Sequence, residues 1–259
     1  MSDSAQSDAI VIRKCSGTGE FRRCVALQQQ VWNFSDAELV PLRMFVVADK
    51  VGGQVIGAFD GSELIGFALS LPGHRHGHSY LHSHMAAVQE RYRNSGVGRR
   101  LKLFQRDDAL SRDILLIEWT FDPLEIKNSF FNIRRLGAVA RRYNINQYGV
   151  TTSSLHGGLP TDRLIAEWWL RSNRVERLLQ DGTELGFTTV QKVEVPAEIS
   201  AWKADADTRE RAAGIQTRNR KEFLQAFRKD LAVLGFERDE KGNGSFLLGN
   251  WDESWSYAS

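Results

Sequence analysis

The short segment Arg93-Asn94-Ser95-Gly96-Val97-Gly98 constrains this chain more than any other feature. It follows a strand-like run that ends at Val88 and precedes a helix-like run that includes Leu101. Glycines lack a Cβ atom and let the backbone approach a ligand, while the unpaired N–H groups of a first helical turn attract an anion. The pattern therefore predicts a strand, an anion-binding loop and a helix, in that order.

This loop differs from two common nucleotide-binding loops. It has two glycines rather than the three of a GxGxxG fingerprint, and no Lys-Ser or Lys-Thr pair follows, as a GxxxxGK[ST] loop requires. Dinucleotide and ATP binding are therefore disfavoured, and a pyrophosphate of another ligand is the expected anion.

Composition limits the class of protein. The chain of 259 residues is 42% hydrophobic and 25% charged, which suits a globular domain with an extension and a core of its own. A net charge of +2 does not indicate nucleic-acid binding.

Cys15 and Cys24 form no CxxC motif, which excludes a disulfide framework. The sequence shows neither a signal-like start nor a run of roughly 18 apolar residues, so we expect a cytoplasmic protein without a membrane partner.

Hydrophobic patterning predicts alternating strands and helices, typical of an α/β (α+β) fold. The predicted elements are strand 9–13, helix 19–32, a hairpin of strands 55–59 and 63–71 that Pro72-Gly73 ends, strand 79–88, a helix after the glycine loop, strand 114–119, helix 124–136, strand 138–148, loop 155–160, strand 163–171, strand 188–195, helix 208–234 and a hairpin over 235–248. No linker is apparent. We therefore predict a core of residues 1–180 and an α+β extension of residues 181–259 that packs on it.

In this element order, the glycine segment resembles the R/Q-x-x-G-x-G/A signature of the GNAT superfamily, the acetyl-CoA-dependent N-acetyltransferases. The resemblance covers roughly residues 9 to 150. The blocks LHSHMAAV, IEWTFDPLEIKNSFFNIRRLGA and LPTDRLIAEWW are similar to an uncharacterised bacterial branch of that superfamily with a C-terminal extension. The resemblance implies the GNAT fold, a mixed central sheet with flanking helices, and acetyl-CoA or another acyl-CoA as phosphopantetheine donor, without a metal.

The resemblance also implies which residues bind the acyl-CoA. The backbone of the fourth strand would hold the pantetheine and the acyl carbonyl, the glycine loop would hold the pyrophosphate, and polar residues of a later helix would contact the CoA. These predicted cofactor-binding residues are Met85, Ala86, Ala87, Val88, Arg93, Asn94, Ser95, Gly96, Val97, Gly98, Arg99, Asn128 and Asn132. The basic residues Arg99, Arg100, Lys102 and Arg106 are either a solvated helix face or a site for the CoA 3′-phosphate or an acidic acyl carrier protein.

Acyl transfer to an amine requires a base, and the chain offers three candidate catalytic residues. Period two places His82 and His84 on one face of the strand, with Leu81, Ser83 and Met85 on the other. The predicted base is His84, with His82 as its neighbour, because an imidazole titrates near neutral pH. The second candidate is Glu118, since a carboxylate in a buried strand can acquire a raised pKa. The alternatives are a hydrogen-bonded structural histidine and an internal ion pair of Glu118.

One position departs from the family pattern. Many GNAT enzymes have a tyrosine general acid four residues before the glycine that ends the helix after the fifth strand; counted back from Gly137, that residue is Ile133. Isoleucine cannot donate a proton. Asn128, Ser129 and Asn132 could instead bind CoA or hydrogen-bond its sulfur.

Five histidines between His74 and His84 raise the alternative of a zinc site, since His-x-His spacing brings two imidazoles together on a strand. Third and fourth ligands are not evident, and we expect His74, His76 and His78 in a solvated hairpin loop. We therefore predict no metal site.

The sequence predicts an acyltransferase that moves an acetyl or small acyl group from acyl-CoA to the amine of a small molecule, in a biosynthetic role. Two alternatives are a GNAT acyltransferase that takes its acyl group from a phosphopantetheinyl carrier protein, and a non-catalytic acyl-CoA binding module, which the absent tyrosine favours. A homodimer is compatible with these functions. The sequence does not identify the acceptor amine.

Overall fold

A computed structural model describes residues 10–36, 38–149 and 157–257. The chain divides into two compact units, Met1–Ile117 and Glu118–Ser259. The division falls inside one strand rather than at residue 180. The predicted boundary at residue 180 therefore separates two segments of the sequence and does not coincide with the division between the compact units.

The first unit contains an antiparallel sheet in which neighbours in sequence are neighbours in space. Its strands, in this order across the sheet, are β1 (Ile10–Lys14), β2 (Gln54–Asp60), β3 (Glu63–Arg75) and β4 (His78–Val88). Its helices are α1 (Gly17–Trp32), α2 (Leu42–Lys50) and α3 (Val97–Leu110). The sequence patterns anticipated all of these elements except α2.

Two hydrophobic clusters in the first unit lie on opposite faces of its sheet. One joins Phe21 of α1 and Phe45 of α2 to Phe67 of β3. The other joins Leu101 of α3 to Ile56 of β2. Alternate residues of a strand face opposite sides, so α1 and α2 cover one face and α3 covers the other. The helix that follows the glycine loop is thereby fixed against the sheet.

The prediction that Pro72-Gly73 ends β3 is wrong, because β3 continues to Arg75 as one strand of a two-stranded arm. The strand β2 pairs with β3 only as far as Ser70. At Pro72 no backbone N–H group is therefore required for a hydrogen bond to β2, and a proline fits there. A side chain at Gly73 would collide with the ring of Tyr80, its cross-strand partner. Glycine here accommodates the aromatic ring and does not mark a turn.

The turn of this arm is His76-Gly77, and both residues have positive φ angles of 52° and 81°. His74 and His78 lie in the strands on either side of the turn. The expectation of a longer histidine-containing loop is therefore wrong, because the strands continue to the two-residue turn.

The strands of the second unit are neighbours in the order β5-β7-β6-β9-β10-β8. Its strands are β5 (Leu116–Phe121), β6 (Val139–Asn144), β7 (Arg163–Trp169), β8 (Gln191–Val195), β9 (Leu231–Arg238) and β10 (Gly244–Asn250). Its helices are α4 (Ile126–Phe130), α5 (Asn173–Gln180), α6 (Ile199–Ala204) and α7 (Arg209–Phe227). The antiparallel pairing of β6 with β9 joins strands from before and after residue 180 in one sheet.

Two predicted helices differ from the structure. The helix expected over 208–234 ends at Phe227, and Leu231 begins β9 after a turn at Asp230 with φ 57°. The helix expected over 124–136 is α4 followed by a π-helical turn, Phe131–Arg135. The helices α5 and α6 were not anticipated, and part of the loop predicted at 155–160 lies outside the described residues.

Side chains from the C-terminal extension bind residues of the second unit that precede it. Lys203 of α6 is buried and donates to Asp122 and Glu125, each over 2.9 Å. Arg220 of α7 donates to both oxygens of the buried Asp162, over 2.7 and 3.1 Å. These contacts attach the extension to residues 118–180. Among the helices of the described residues, none combines the length and apolar character needed to span a membrane.

Candidate acyl-CoA site

The glycine loop connects β4 to α3 through a short 3₁₀ turn, Glu90–Tyr92. Tyr92 anchors the turn by donating from its hydroxyl to Asp60 over 2.6 Å. Ser95 Oγ donates to the carbonyl oxygen of Tyr92 over 2.6 Å, and Asn94 adopts a left-handed conformation with φ 64°. The residues from Arg93 to Gly96 are all exposed. The predicted order of strand, loop and helix at this position is confirmed.

Backbone N–H groups at the start of α3 are available to an anion. The first helical hydrogen bond runs from Arg100 N to Gly96 O over 3.0 Å, so the N–H groups of Val97, Gly98 and Arg99 precede it. Among residues 10–36, 38–149 and 157–257, no side chain caps this end, and the first turn of α3 contains no acidic residue. Uncapped N–H groups and the positive end of the helix dipole favour a bound phosphate.

The two glycines of the loop meet different requirements. Gly96 has φ 86°, a left-handed conformation that other residues adopt at a cost. Gly98 lies in the helix, and within the part of the chain that the structure describes a Cβ atom placed there would meet only Val88 Cγ2, at 4.0 Å. A side chain at Gly98 would therefore extend into open space at the helix N-terminus.

The basic surface that the sequence suggested on α3 is smaller than expected. Lys102 is buried, with 6% of its surface exposed, and its Nζ donates to Ser83 Oγ over 2.8 Å. Arg100 donates to the carbonyl oxygen of Ile10 over 2.6 Å and thereby ties α3 to β1. Arg99 remains partly exposed next to the loop.

The strand β4 contains a β-bulge at His84. Leu69 of β3 pairs with Met85, but the next residue, Ser70, pairs with Ser83. His84 is thus the extra residue, opposite no residue of β3. Bulges bend a strand and redirect side chains, and they are frequent next to active sites.

The bulge overturns part of the predicted side-chain alternation. Ser83 faces α3, where it contacts Lys102, whereas Met85 packs with the cluster on the α1 and α2 face. A regular strand would place residues 83 and 85 on one face. The inserted residue reverses the alternation between them.

His82 and His84 lie together, as predicted, with ring centroids 6.3 Å apart. His84 is exposed, yet the protein around its ring removes part of its hydration and lowers the pKa of the imidazole. A lowered pKa keeps the imidazole neutral at pH 7, the form that accepts a proton. The geometry is compatible with the predicted base.

Glu118, the second candidate base, forms an ion pair. Its carboxylate accepts a hydrogen bond from Arg142, and Arg142 also donates to Glu167 over 3.1 Å. Glu118 and Glu167 are both buried. The structure therefore contains the internal ion pair that was the alternative to a catalytic Glu118.

Of the two asparagines predicted to bind CoA, Asn128 is exposed and Asn132 is buried. Among the described residues, neither Asn132 Nδ2 nor Ser129 Oγ has a hydrogen-bond partner. The expected tyrosine position, Ile133, is 1% exposed and apolar. The hydrogen bond from Leu136 N to Phe131 O is π-helical, so this turn contains one residue more than an α-helical turn. The residue four positions before Gly137, Ile133, therefore does not point in the direction that an α-helix would give it.

Within the described residues, no group of three or more His, Cys, Asp or Glu side chains is arranged to hold a metal ion. The histidines of the arm are distributed over two strands and a turn.

Solved structures similar to this chain were found, whereas no family model and no curated protein matches it. A GNAT-family protein from Desulfovibrio desulfuricans shares 15% identity, covers 62% of this chain and 99% of its own, and superposes with a TM-score of 0.52. The ribosomal-protein-S18-alanine N-acetyltransferase of Escherichia coli shares 14% identity over 61% of this chain and 92% of its own, with a TM-score of 0.49. The ribosomal-protein-alanine N-acetyltransferase of Brucella melitensis shares 19% identity over 61% and 98%, with a TM-score of 0.48.

The similarity to the Desulfovibrio structure extends over nearly the whole of that protein, and at this level of identity it concerns the fold. The chain therefore has the fold of the GNAT superfamily.

Proposed function

We propose that this protein is an acyltransferase that moves an acetyl or small acyl group from acyl-CoA to the amine of a small molecule. The observation that carries the proposal is the exposed loop from Arg93 to Gly96 at the uncapped N-terminus of α3. It presents three backbone N–H groups and no acidic side chain to an anion, and it follows a strand whose bulge residue is a histidine with a lowered pKa.

The residues present suit CoA as the donor. The N–H groups of Val97, Gly98 and Arg99 would bind the pyrophosphate, with Arg93, Asn94, Ser95 and Gly96 completing the loop. The backbone of Met85 to Val88 would bind the pantetheine arm and the acyl carbonyl. Asn128 and Asn132 are proposed as further CoA ligands, and the unpartnered Asn132 Nδ2 supplies a donor that nothing in the described residues uses.

The proposed reaction is direct transfer. CoA supplies an acyl carbon activated as a thioester. His84 accepts the proton that the acceptor ammonium must lose, with His82 beside it. The amine nitrogen forms a bond to the acyl carbon and loses its second proton. The carbon–sulfur bond breaks, the electron pair leaves with the sulfur, and the sulfur takes up a proton to give the free thiol. Asn132 Nδ2 is proposed to donate a hydrogen bond to this sulfur in place of the absent tyrosine.

Free acyl-CoA is favoured over an acyl carrier protein as donor. A carrier protein is acidic and needs a wide basic surface, whereas Lys102 of α3 is buried and Arg100 is bound to the backbone of β1. The non-catalytic alternative rests on the apolar Ile133.

Two measurements test the proposal. Calorimetry with CoA should show binding at one site, and a panel of small amines with acetyl-CoA should release free thiol with at least one acceptor. Binding without thiol release from any amine would support the non-catalytic module, and absence of CoA binding would contradict the loop assignment. Acylated carrier protein, compared with acetyl-CoA at equal concentration, distinguishes the two donors.

A further inference from the structure

The proposed function leaves unused a buried polar cluster between α3 and the sheet of the first unit. Its members are Gln54, Ser70, Ser83, Lys102 and Gln105, all of them less than 9% exposed. Polar side chains buried in this number need hydrogen bonds to each other, and an apolar set of the same volume would be at least as stable. Their position relative to the site therefore requires an explanation.

The cluster lies at the point where β4 loses register with β3. Ser70 and Ser83 are cross-strand partners, and the bulge at His84 begins with the next residue. Lys102 Nζ donates to Ser83 Oγ over 2.8 Å, and Gln105 Nε2 donates to Ser70 Oγ over 2.6 Å. The helix α3 thus holds both serines of the last regular pair before the bulge.

The same helix begins at the anion-binding loop. Lys102 follows Gly98 by four residues, about one helical turn. Gln105 also contacts Ser83, with its Nε2 3.2 Å from Ser83 Oγ. One rigid element therefore joins the proposed pyrophosphate site to the strand residue that precedes the proposed base.

A buried lysine is costly to the fold. Burial lowers the pKa of Lys102 to about 7, because the charged ammonium is removed from water. Residues that reduce stability at one defined place, without an evident packing advantage, are expected near functional sites.

We propose that Lys102 and Gln105 hold the β4 bulge in place through Ser83 and Ser70, which makes Lys102 a positioning residue for His84. The inference rests on the proposed function as far as catalysis is concerned. The positioning itself is a property of the free protein. Without the Lys102 contact, Ser83 loses the donor Nζ, and the bulge gains freedom to shift along β3.

The test compares Lys102→Met and Ser83→Ala with the wild type by NMR. Amide exchange at Ser83 and Met85 should become about tenfold faster or more in both variants, the factor expected when a hydrogen bond to a charged group is lost. The ring signal of His84, identified by its absence in His84→Gln, should move in both. The double variant should resemble the single ones, because both substitutions remove the same contact. Lys50→Met and Ser111→Ala are the controls, since both residues are exposed and neither belongs to the buried polar cluster.

Kinetics add a second readout. In Lys102→Met, kcat for acetyl transfer should fall about tenfold while KM for acetyl-CoA stays within about twofold, because the loop itself is unchanged. Wild-type exchange rates and an unmoved His84 signal in Lys102→Met would overturn the positioning role. If the wild type transfers no acyl group, the proposed function fails, and the NMR comparison still decides the role of Lys102.

Discussion

Arg142 of β6 binds two buried carboxylates at once, Glu118 of β5 and Glu167 of β7. The adjacent Arg141 donates to Glu167 as well, over 2.9 Å, because a register shift in the pairing of β6 with β7 occurs at Arg141. Arg141 also lies over the ring of Trp251, 3.9 Å from its centroid. The chain thus places two arginines and two carboxylates in one cluster, which crosslinks three strands of the second unit.

We expect Glu118→Gln to weaken this cluster and to leave the chemistry unaffected. Loss of the charged acceptor should lower the free energy of unfolding by about 1–3 kcal/mol, since Arg142 retains Glu167. Urea unfolding measures this change, and Glu253→Gln, at an exposed residue 3.9 Å from Arg141, is the control with an expected change below about 0.5 kcal/mol. Unchanged stability with a loss of turnover would instead identify Glu118 as the base.

Sequence patterns anticipated the strand order around the site because alternation and turn residues are local signals. An Asp-Gly pair between two strand-like runs is typical of a hairpin, and Asp60-Gly61 joins β2 to β3. The two glycines of the loop likewise precede α3. The bulge at His84 has no such signal. It depends on Ser70 pairing with Ser83 while Leu69 pairs with Met85, a relation between two strands that no single segment contains.

The burial of Lys102 could not be predicted for a similar reason. Within its helix, Lys102 sits among Arg99, Arg100 and Arg106 and reads as part of a basic surface. Only the packing of α3 on the sheet shows that its position faces Ser83.

Gly98→Leu should separate ligand binding from folding. Gly98 is in a helical position with open space beside it, so leucine should raise the free energy of unfolding by about 0.5–1 kcal/mol through helix propensity. The side chain would cover the N–H groups at the helix start, and CoA affinity should fall at least about tenfold in calorimetry.

The matched control is Gly214→Leu, because Gly214 is exposed inside α7 and also has open space around it. It should gain similar stability and keep its CoA affinity. Equal CoA affinity in Gly98→Leu and the wild type would remove the loop from the binding site. Gly96→Trp should also abolish binding, but its φ of 86° adds backbone strain that complicates the comparison.

His84→Ala should change the pH dependence of turnover. Partial loss of hydration lowers the pKa of His84 below its ordinary 6.5, so the wild type should gain activity as pH rises through that lower value and then reach a plateau. The variant should lose this acidic limb together with about 100-fold or more of kcat. His78→Ala, on the arm near the turn, should retain both. If His84→Ala keeps both its turnover and the rise of activity on the acidic side of the pH profile, the histidine is structural.

The buried lysine should make stability depend on pH. The folded-state pKa of Lys102 is about 7 against an ordinary 10.5, so the unfolded chain binds more protons between these values and stability rises with pH across this window. Lys102→Met lacks the cost of burying a charged ammonium, so its free energy of unfolding at pH 6 should exceed that of the wild type by about 2 kcal/mol. This advantage should shrink by pH 9.

Urea unfolding at pH 6 and pH 9 measures the difference, and Lys50→Met should follow the wild type at both values because Lys50 is exposed. If Lys102→Met is less stable than the wild type by the same amount at pH 6 and pH 9, the folded state stabilises the charged ammonium of Lys102.

Asn132→Leu should reveal whether the unpartnered amide serves a ligand. Asn132 Nδ2 is buried without a hydrogen-bond partner among the described residues, and an unsatisfied buried donor costs about 1–3 kcal/mol. Leucine has a similar volume and no polar atom, so the free protein should gain stability, whereas kcat for acetyl transfer should fall because the leaving sulfur loses a proposed donor.

Ser129→Ala is the matched comparison, since Ser129 Oγ is also buried one turn earlier and has no hydrogen-bond partner among the described residues, while Asn132 Nδ2 is the donor that we propose for the sulfur. It should gain stability and keep its kcat. The distinguishing measurement is the dependence of kcat on the acidity of the leaving thiol, tested with acetyl thioesters of short pantetheine analogues. Without the Asn132 donor, kcat should depend more steeply on thiol acidity, because the sulfur must then carry its negative charge unaided. An unchanged dependence would assign Asn132 to binding alone.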